Sequence, residues 1–314
     1  MFQYEQFKHA YSFSQLDEFL DTLADSGEFQ FVKAKEKLQY LNIPCAFDIE
    51  TSSMEVDGVK FAEMYIWQFG VNGLTIYGRY WHEFTKFLRV LQEVFGLDHH
   101  SRLIVYVHNL AYEFQFIKNR VQWAPDRNGN SAVFSLKKRR PIYALTSSGI
   151  EFRCSYFLSN CNLAYIGAKM LFKYPVQKLT GDLDYTLIRH SETPLTQEEL
   201  EYCFNDVRVV MAYIQEKIEA EGSIAEIPLT NTGYVRKYTR DYCNGKFIKD
   251  PEESRIQSLN YHSIMKTMKI SSEKEYEQLK SAFAGGFTHA NPMYSRYEEV
   301  RKVDKNSVYE KVVD

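Results

Sequence analysis

The chain has 314 residues, 45% of them hydrophobic and 25% charged, which suits a soluble globular protein of two domains or one large one. No signal peptide is legible and no apolar run approaches the roughly 18 residues of a membrane span, so membrane classes are excluded and a cytoplasmic protein is expected. A formal net charge of −3 excludes a uniformly basic surface, and five cysteines without a C-x-x-C pair read as reduced thiols rather than a zinc site or disulfide framework.

Residues 1–40 carry one predicted helix, SQLDEFLDTLADSG, opened by Ser14. Three strand-like runs follow, PCAFDIET, KFAEMYIWQFGV and LTIYGRY, the last two joined by the hairpin dipeptide Asn72-Gly73. In WHEFTKFLRVLQEVFG, Phe84, Phe87, Leu88, Leu91, Val94 and Phe95 share one face at helical spacing, and Gly96 is the stop. RLIVYVHN reads as a short buried strand, and LAYEFQFIKNRV as a helix with Leu110, Phe114, Ile117 and Val121 inward. The order β-β-β-α-β-α is that of a ribonuclease H-like mixed sheet flanked by helices, an α/β fold. PIYALTSSGIEFRCSY adds a hairpin, and a long helix runs from a capping box of Thr196 and Glu199 to Gly222. Residues 232–282 read as short helices, followed by FAGGFTHANP and a last strand, VYEKVVD.

Charge is uneven along this order. SLKKRRP (135–141) is a basic run, and YVRKYTRDYCNGKFIK (234–249) interleaves Arg and Lys with Tyr and Phe, a mixture that suits backbone phosphates and stacked bases as well as a plain solvated face. Acids stand where strands rarely carry them. Asp48 and Glu50 leave the same face of one strand, about 6.5 Å apart. Repulsion and desolvation would keep one of them protonated unless cations compensate, and a divalent metal is the simplest compensation. Asn109 and Glu113 flank the carboxyl end of the VYVHN strand, where open α/β sheets keep their ligands; alone they read as a helix cap and a first-turn glutamate. In the long helix the apolar stripe is Leu200, Cys203, Phe204, Val207, Met211, Ile214 and Ile218, which leaves Tyr202 and Asp206 on a face away from the main core. Together these elements match the order of DEDD-type 3′–5′ exonucleases in their tyrosine version. That chemistry uses four carboxylates to hold two divalent ions, Mg2+ or Mn2+, about 3.5–4 Å apart around one phosphodiester.

FDIET, VYVHNLAYEF and YCFND resemble the three exonuclease motifs of family B DNA polymerases, and the surrounding sequence is most similar to the protein-primed polymerases of bacteriophages. KLTGDLDY (178–185) resembles the stretch ahead of the third motif, AFAGGFTHAN (282–291) the connection to the polymerase domain, and VYEKVVD the strand entering the first polymerase motif. The resemblance runs from about residue 45 to the last residue. It implies an N-terminal extension (1–40), an exonuclease domain (41–225) and an incomplete start of a palm and linker segment (226–314), with Asp314 as the first polymerase metal ligand. It also implies that Asp48 bridges both ions, that Glu50 and Asp206 bind the nucleophile-side ion, that Glu113 serves the other, and that Tyr202 positions water. Thr51, Asn109 and Tyr112 would contact a single-stranded 3′ end, with Tyr106 and His108 beside it, Ser155 near the primer terminus, and Lys178 and Tyr185 among the DNA contacts. Phe283 stands where a tyrosine is usual, and two further departures from the family pattern matter for the site. Glu113 stands where Asp is usual, and Thr180 where a lysine is usual, with Lys178 two positions earlier.

The expectation is a proofreading exonuclease acting on single-stranded DNA ends and primer-template in a host cytoplasm. Such a chain would be a fragment of one polymerase or half of a split one, partnered by a separate C-terminal polymerase part and a terminal protein. The competing expectation, from another class, is a non-catalytic DNA-binding or assembly subunit whose exonuclease site is weakened by Glu113.

Overall fold

The structure, a computed structural model, describes residues 2–137, 139–179 and 187–282. The first 41 residues supply strand β1 (Ala10–Ser12), helix α1 (Leu16–Asp25) and the hairpin β2 (Phe31–Lys35) and β3 (Leu38–Leu41), three strands that the sequence reading did not anticipate. α1 begins later than expected: a 3-10 turn over Phe13–Gln15 precedes it, and Ser12 rather than Ser14 shares a capping box, with Gln15. β4 (Cys45–Val56) and β5 (Val59–Val71) form the longest hairpin, turning at Asp57-Gly58, and β6 (Leu74–Gly78) follows through Asn72-Gly73. All four turn residues have positive φ, the backbone that two-residue hairpins need to match strand twist.

α2 (Trp81–Phe95) stops at left-handed Gly96 as expected, with Phe84, Phe87, Leu88 and Leu91 buried; Val94, 54% exposed, lies at the solvent edge of the stripe. Next come β7 (Ser101–Val107), α3 (Leu110–Ile117), β8 (Val133–Lys137), β9 (Arg140–Leu145), β10 (Ile150–Cys154) and the short helices α4 (Ser155–Ser159) and α5 (Leu163–Lys169). α3 ends before Val121, so that residue packs from a loop. α6 (Gln197–Glu221) carries the expected Thr196–Glu199 capping box and ends at left-handed Gly222.

The strands order as β1-β6-β5-β4-β7-β10-β9-β8, with β3 joining beside β7; β4–β5–β6 is antiparallel, and β7 runs parallel to β4 and β10. This is the mixed sheet flanked by helices that the element order implied. Alternation along β4 sorts its side chains between two layers. Cys45, Phe47 and Ile49 join the core under α1 and α2, where Phe47 stacks on Phe84 with centroids 4.7 Å apart. Ala46, Asp48 and Glu50 turn the other way, toward α6. Gly70 on β5 lets α6 lie close, since a Cβ there would meet the Met211 sulfur at 2.5 Å.

The chain falls into two units, Met1–Thr239 and Arg240–Asp314. Helix α7 (Asn231–Cys243) spans the boundary. The described part of the second unit holds α8 (Pro251–Thr267), capped by Asp250, and α9 (Glu273–Ala282). Thr180, Tyr185, Asp314, all of VYEKVVD and all of AFAGGFTHAN but Ala282 lie outside the described residues.

Candidate active site

Three elements bring acids to one place. Asp48 and Glu50 come from β4 and Asp206 from α6, and each offers a carboxylate oxygen within 4.8 Å of the others. Glu113, in the first turn of α3 and 4% exposed, approaches from the Asp48 side and is held against that carboxyl. Tyr202 lies one turn before Asp206. The sequence reading set Tyr202 and Asp206 on a face away from the core; the structure corrects this for Asp206, because α6 is buried on every side from Cys203 to Ile214 and Asp206 is turned into the sheet.

Asp48 and Glu50 are half-buried, and Glu113 and Asp206 are buried. Burial first, then the charges of Glu113, Glu50 and Asp206, hold the Asp48 carboxyl well above the usual carboxylate range. Burial and Asp206 push Glu50 up to about 7, and burial pushes Glu113 to about 8. Asp206 is raised by burial although Lys178 draws it down. Lys178 Nζ donates to Asp206 Oδ2 at 2.7 Å and stands over the Tyr202 ring at 5.4 Å. Burial alone would lower the Lys178 ammonium, but Asp206, Asp48 and Glu50 raise it, so it remains a cation among the acids. Gln68 Nε2 donates to Asp48 Oδ2 at 3.1 Å. Among the described residues, the Lys178 ammonium, the Gln68 amide and the charge of Arg189 acting on Glu50 still leave four carboxylates under-compensated. Among the described residues, two buried oxygens, Glu113 Oε2 and Asp206 Oδ1, have no hydrogen-bond partner. Clustered hard oxygen donors with orphaned lone pairs fit divalent cations, which Asp48, Glu50 and Asp206, with Glu113 beside them, could hold.

The expected strand contacts divide into two groups. Thr51 and Tyr112 hydrogen-bond through their hydroxyls, and a β-bulge between Glu50 and Thr51 sets the angle at which Thr51 leaves β4. Asn109, exposed and at φ 74°, caps α3 with its backbone only, which leaves its amide toward solvent. His108 Nδ1 meets Ser155 Oγ at 3.0 Å, and burial together with Lys178 lowers the imidazole to about 4, so the ring is neutral at pH 7. The other group is interior. Ser155 is fully buried, a support for His108 rather than a surface, and Tyr106, 1% exposed, is enclosed in the α6-side core beside Arg153 with no face open to a strand. β7 alternation sends Tyr106 inward to the layer that α6 covers.

Sequence reasoning missed Gln68 and Arg189. A lone polar residue in the apolar run YIWQFGV was the legible signal for Gln68. Arg189 donates its backbone N–H to Ser52 Oγ and its guanidinium to Glu199, pinning the chain next to Thr51; no local pattern marks it.

No protein-family model and no curated protein matches the sequence. Among solved structures, the chain is similar to Phi29 DNA polymerase in a ternary complex with primer-template DNA and incoming nucleotide, at TM-score 0.51 and 17% identity over 81% of this chain. It spans 41% of that polymerase, so less than half of the neighbour has a counterpart here. Phi29 DNA polymerase complexed with single-stranded DNA also matches, at TM-score 0.48 and 18% identity, as does the exonuclease domain of Aedes aegypti Nibbler, at TM-score 0.34 and 12% identity. The fold is thus that of the corresponding region of Phi29 DNA polymerase.

Proposed function

We propose that the chain is a metal-dependent 3′–5′ exodeoxyribonuclease of the family B polymerase type, which removes nucleotides from single-stranded DNA ends and serves proofreading. The observation that carries this reading is the convergence of Asp48, Glu50 and Asp206 from distant elements, with Glu113 against them, on a sheet shared with a DNA polymerase. Divalent cations held there would supply Lewis acidity, activating water and neutralising charge on the departing 3′ oxygen. The protein's own residues do the rest. Tyr202 orients the attacking water, Thr51 and Tyr112 hold the terminal nucleotide, and neutral His108 keeps the α3 entrance free of competing charge. Water adds across the P–O3′ bond, giving a nucleoside 5′-monophosphate and a strand with a new 3′ hydroxyl. A separate polymerase part, a terminal protein and a phage host's cytoplasm belong to this proposal as its expected setting.

The test is a 5′-labelled single strand incubated with Mg2+ or Mn2+. A ladder of shortened products is expected from the native chain, with a rate at least about 10²-fold lower for Asp48→Ala. Equal ladders from both proteins, or none from either, would defeat the assignment. The second reading, a weakened site in an assembly subunit, is favoured by one observation, the glutamate at 113. Because the Glu113 carboxyl already lies against Asp48, Glu113→Asp should withdraw it by roughly one bond, about 1.5 Å, and slow the reaction. A large gain in rate would instead favour the weakened site.

A further inference from the structure

The basic run SLKKRRP has no part in the chemistry above, yet two of its arginines line a cleft at the β7–α3 junction, the junction that leads to Glu113. The cleft, of about 670 Å3, has His108, Asn109 and Tyr112 from the β7–α3 junction on one side and Tyr156 from α4 on another. Arg139 and Arg140, from the β8–β9 turn, complete its rim. Among the described residues no carboxylate lines this cleft and neither arginine is ion-paired. Both guanidinium groups are exposed. Tyr112 joins the cleft to the acids, since it precedes Glu113 and bonds to Thr51, the neighbour of Glu50. The charge pattern is polarised: the acids of β4, α3 and α6 repel an unassisted strand, and two cations on the cleft rim attract one.

We propose that Arg139 and Arg140 are phosphate-gripping residues for single-stranded DNA, seating the nucleotides 5′ of the one being removed in this cleft. The inference rests on the nuclease reading and extends it to how the strand is held. Guanidinium groups bind phosphate through paired N–H donors, and an arginine over an aromatic-lined cleft also tolerates any base. Neither arginine belongs to the acid cluster, so their part is affinity and register. Tyr156, 40% exposed, offers its ring to a base in the same space.

The experiment uses the full chain and a fluorescein-labelled oligothymidylate in EDTA, where no hydrolysis occurs, with binding read by anisotropy across a KCl series. For single strands each neutralised phosphate contributes about 0.7 to the slope of log K against log salt. R139A/R140A should therefore flatten the slope by about 1.4 and weaken binding most at low salt. R139K/R140K should keep the native slope, and melting temperatures should be unchanged because both side chains are exposed. With metal present, the alanine pair should raise KM and leave kcat as it is. A native slope and native KM in R139A/R140A, from a chain that still degrades single strands, would overturn this inference alone. Failure of the native chain to bind or degrade single strands would overturn the nuclease reading and this one together.

Discussion

Glu50 and Glu113 titrate near 7 and 8 because burial penalises their charged forms, and this makes the metal-free protein sensitive to alkali. Unfolded, both would release their protons near 4.5; folded, they hold them to 7 or 8, so between those limits unfolding releases protons. Their contribution to stability is complete below about pH 4.5 and is lost as pH rises through 7 to 8. Thermal melts in EDTA should thus fall between pH 6 and pH 9, and a divalent cation should restore the loss, most strongly at the alkaline end. Lys178 supplies a further test at this scale. Glu50, held up to about 7, is protonated at pH 5 and leaves the ammonium less to offset there, whereas at pH 8 it is charged. Lys178→Met should cost up to about 3 kcal/mol in EDTA at pH 8, the scale of breaking a half-buried pair, and much less at pH 5. Equal losses at both pH values would show that Lys178 acts by packing alone. The acidic side chains were legible from D-x-E spacing; the ammonium among them was not, since Lys178 reaches Asp206 across 28 residues and no periodicity links them.

What places Lys178 is a contact between elements. The segment entering it passes over α5 at Gly167, where a Cβ would stand 2.6 Å from the Val176 carbonyl oxygen and 3.0 Å from the Lys178 nitrogen. On the other side, Leu179 N–H donates to Asn205 Oδ1 of α6 at 2.9 Å, so the segment is clamped between two helices. Gly167→Ala must shift backbone, because neither neighbour is a flexible side-chain end. A displacement near 1 Å would move the ammonium off Asp206 and lower the nuclease rate by roughly 10²-fold, with far-UV circular dichroism unchanged. A native rate in Gly167→Ala would show that the clamp does not position the site. α2 and α6 could be read with their stops, because Gly96 and Gly222 end strong apolar periodicities. β1, β2 and β3 could not: they are three to five residues long and half-buried, β1 and β3 find their partners β6 and β7 far along the chain, and β2 pairs with β3.

Across the molecule, the sheet separates stability from chemistry. The aromatic core of Phe47, Trp67, Phe69, Phe84, Phe87 and Phe152 fills one face, while Asp48 and Glu50 use the other face of the same β4 strand. Phe84→Ala opens a cavity on the aromatic side and should lower the unfolding free energy by about 3–5 kcal/mol while leaving kcat at a permissive temperature unchanged. A comparable fall in kcat would mean that the two faces are mechanically coupled. The order of elements made this architecture legible from sequence, whereas burial of α6 on all sides was not, because the helix pattern alone does not show that Tyr40, Ala46 and α5 pack with it. The most direct test of the central claim is a Mn2+ titration of the metal-free chain followed by electron paramagnetic resonance. The account predicts strong binding that approaches two ions per chain and is lost in Asp48→Asn; native Mn2+ binding that is absent, or untouched by that substitution, would contradict it.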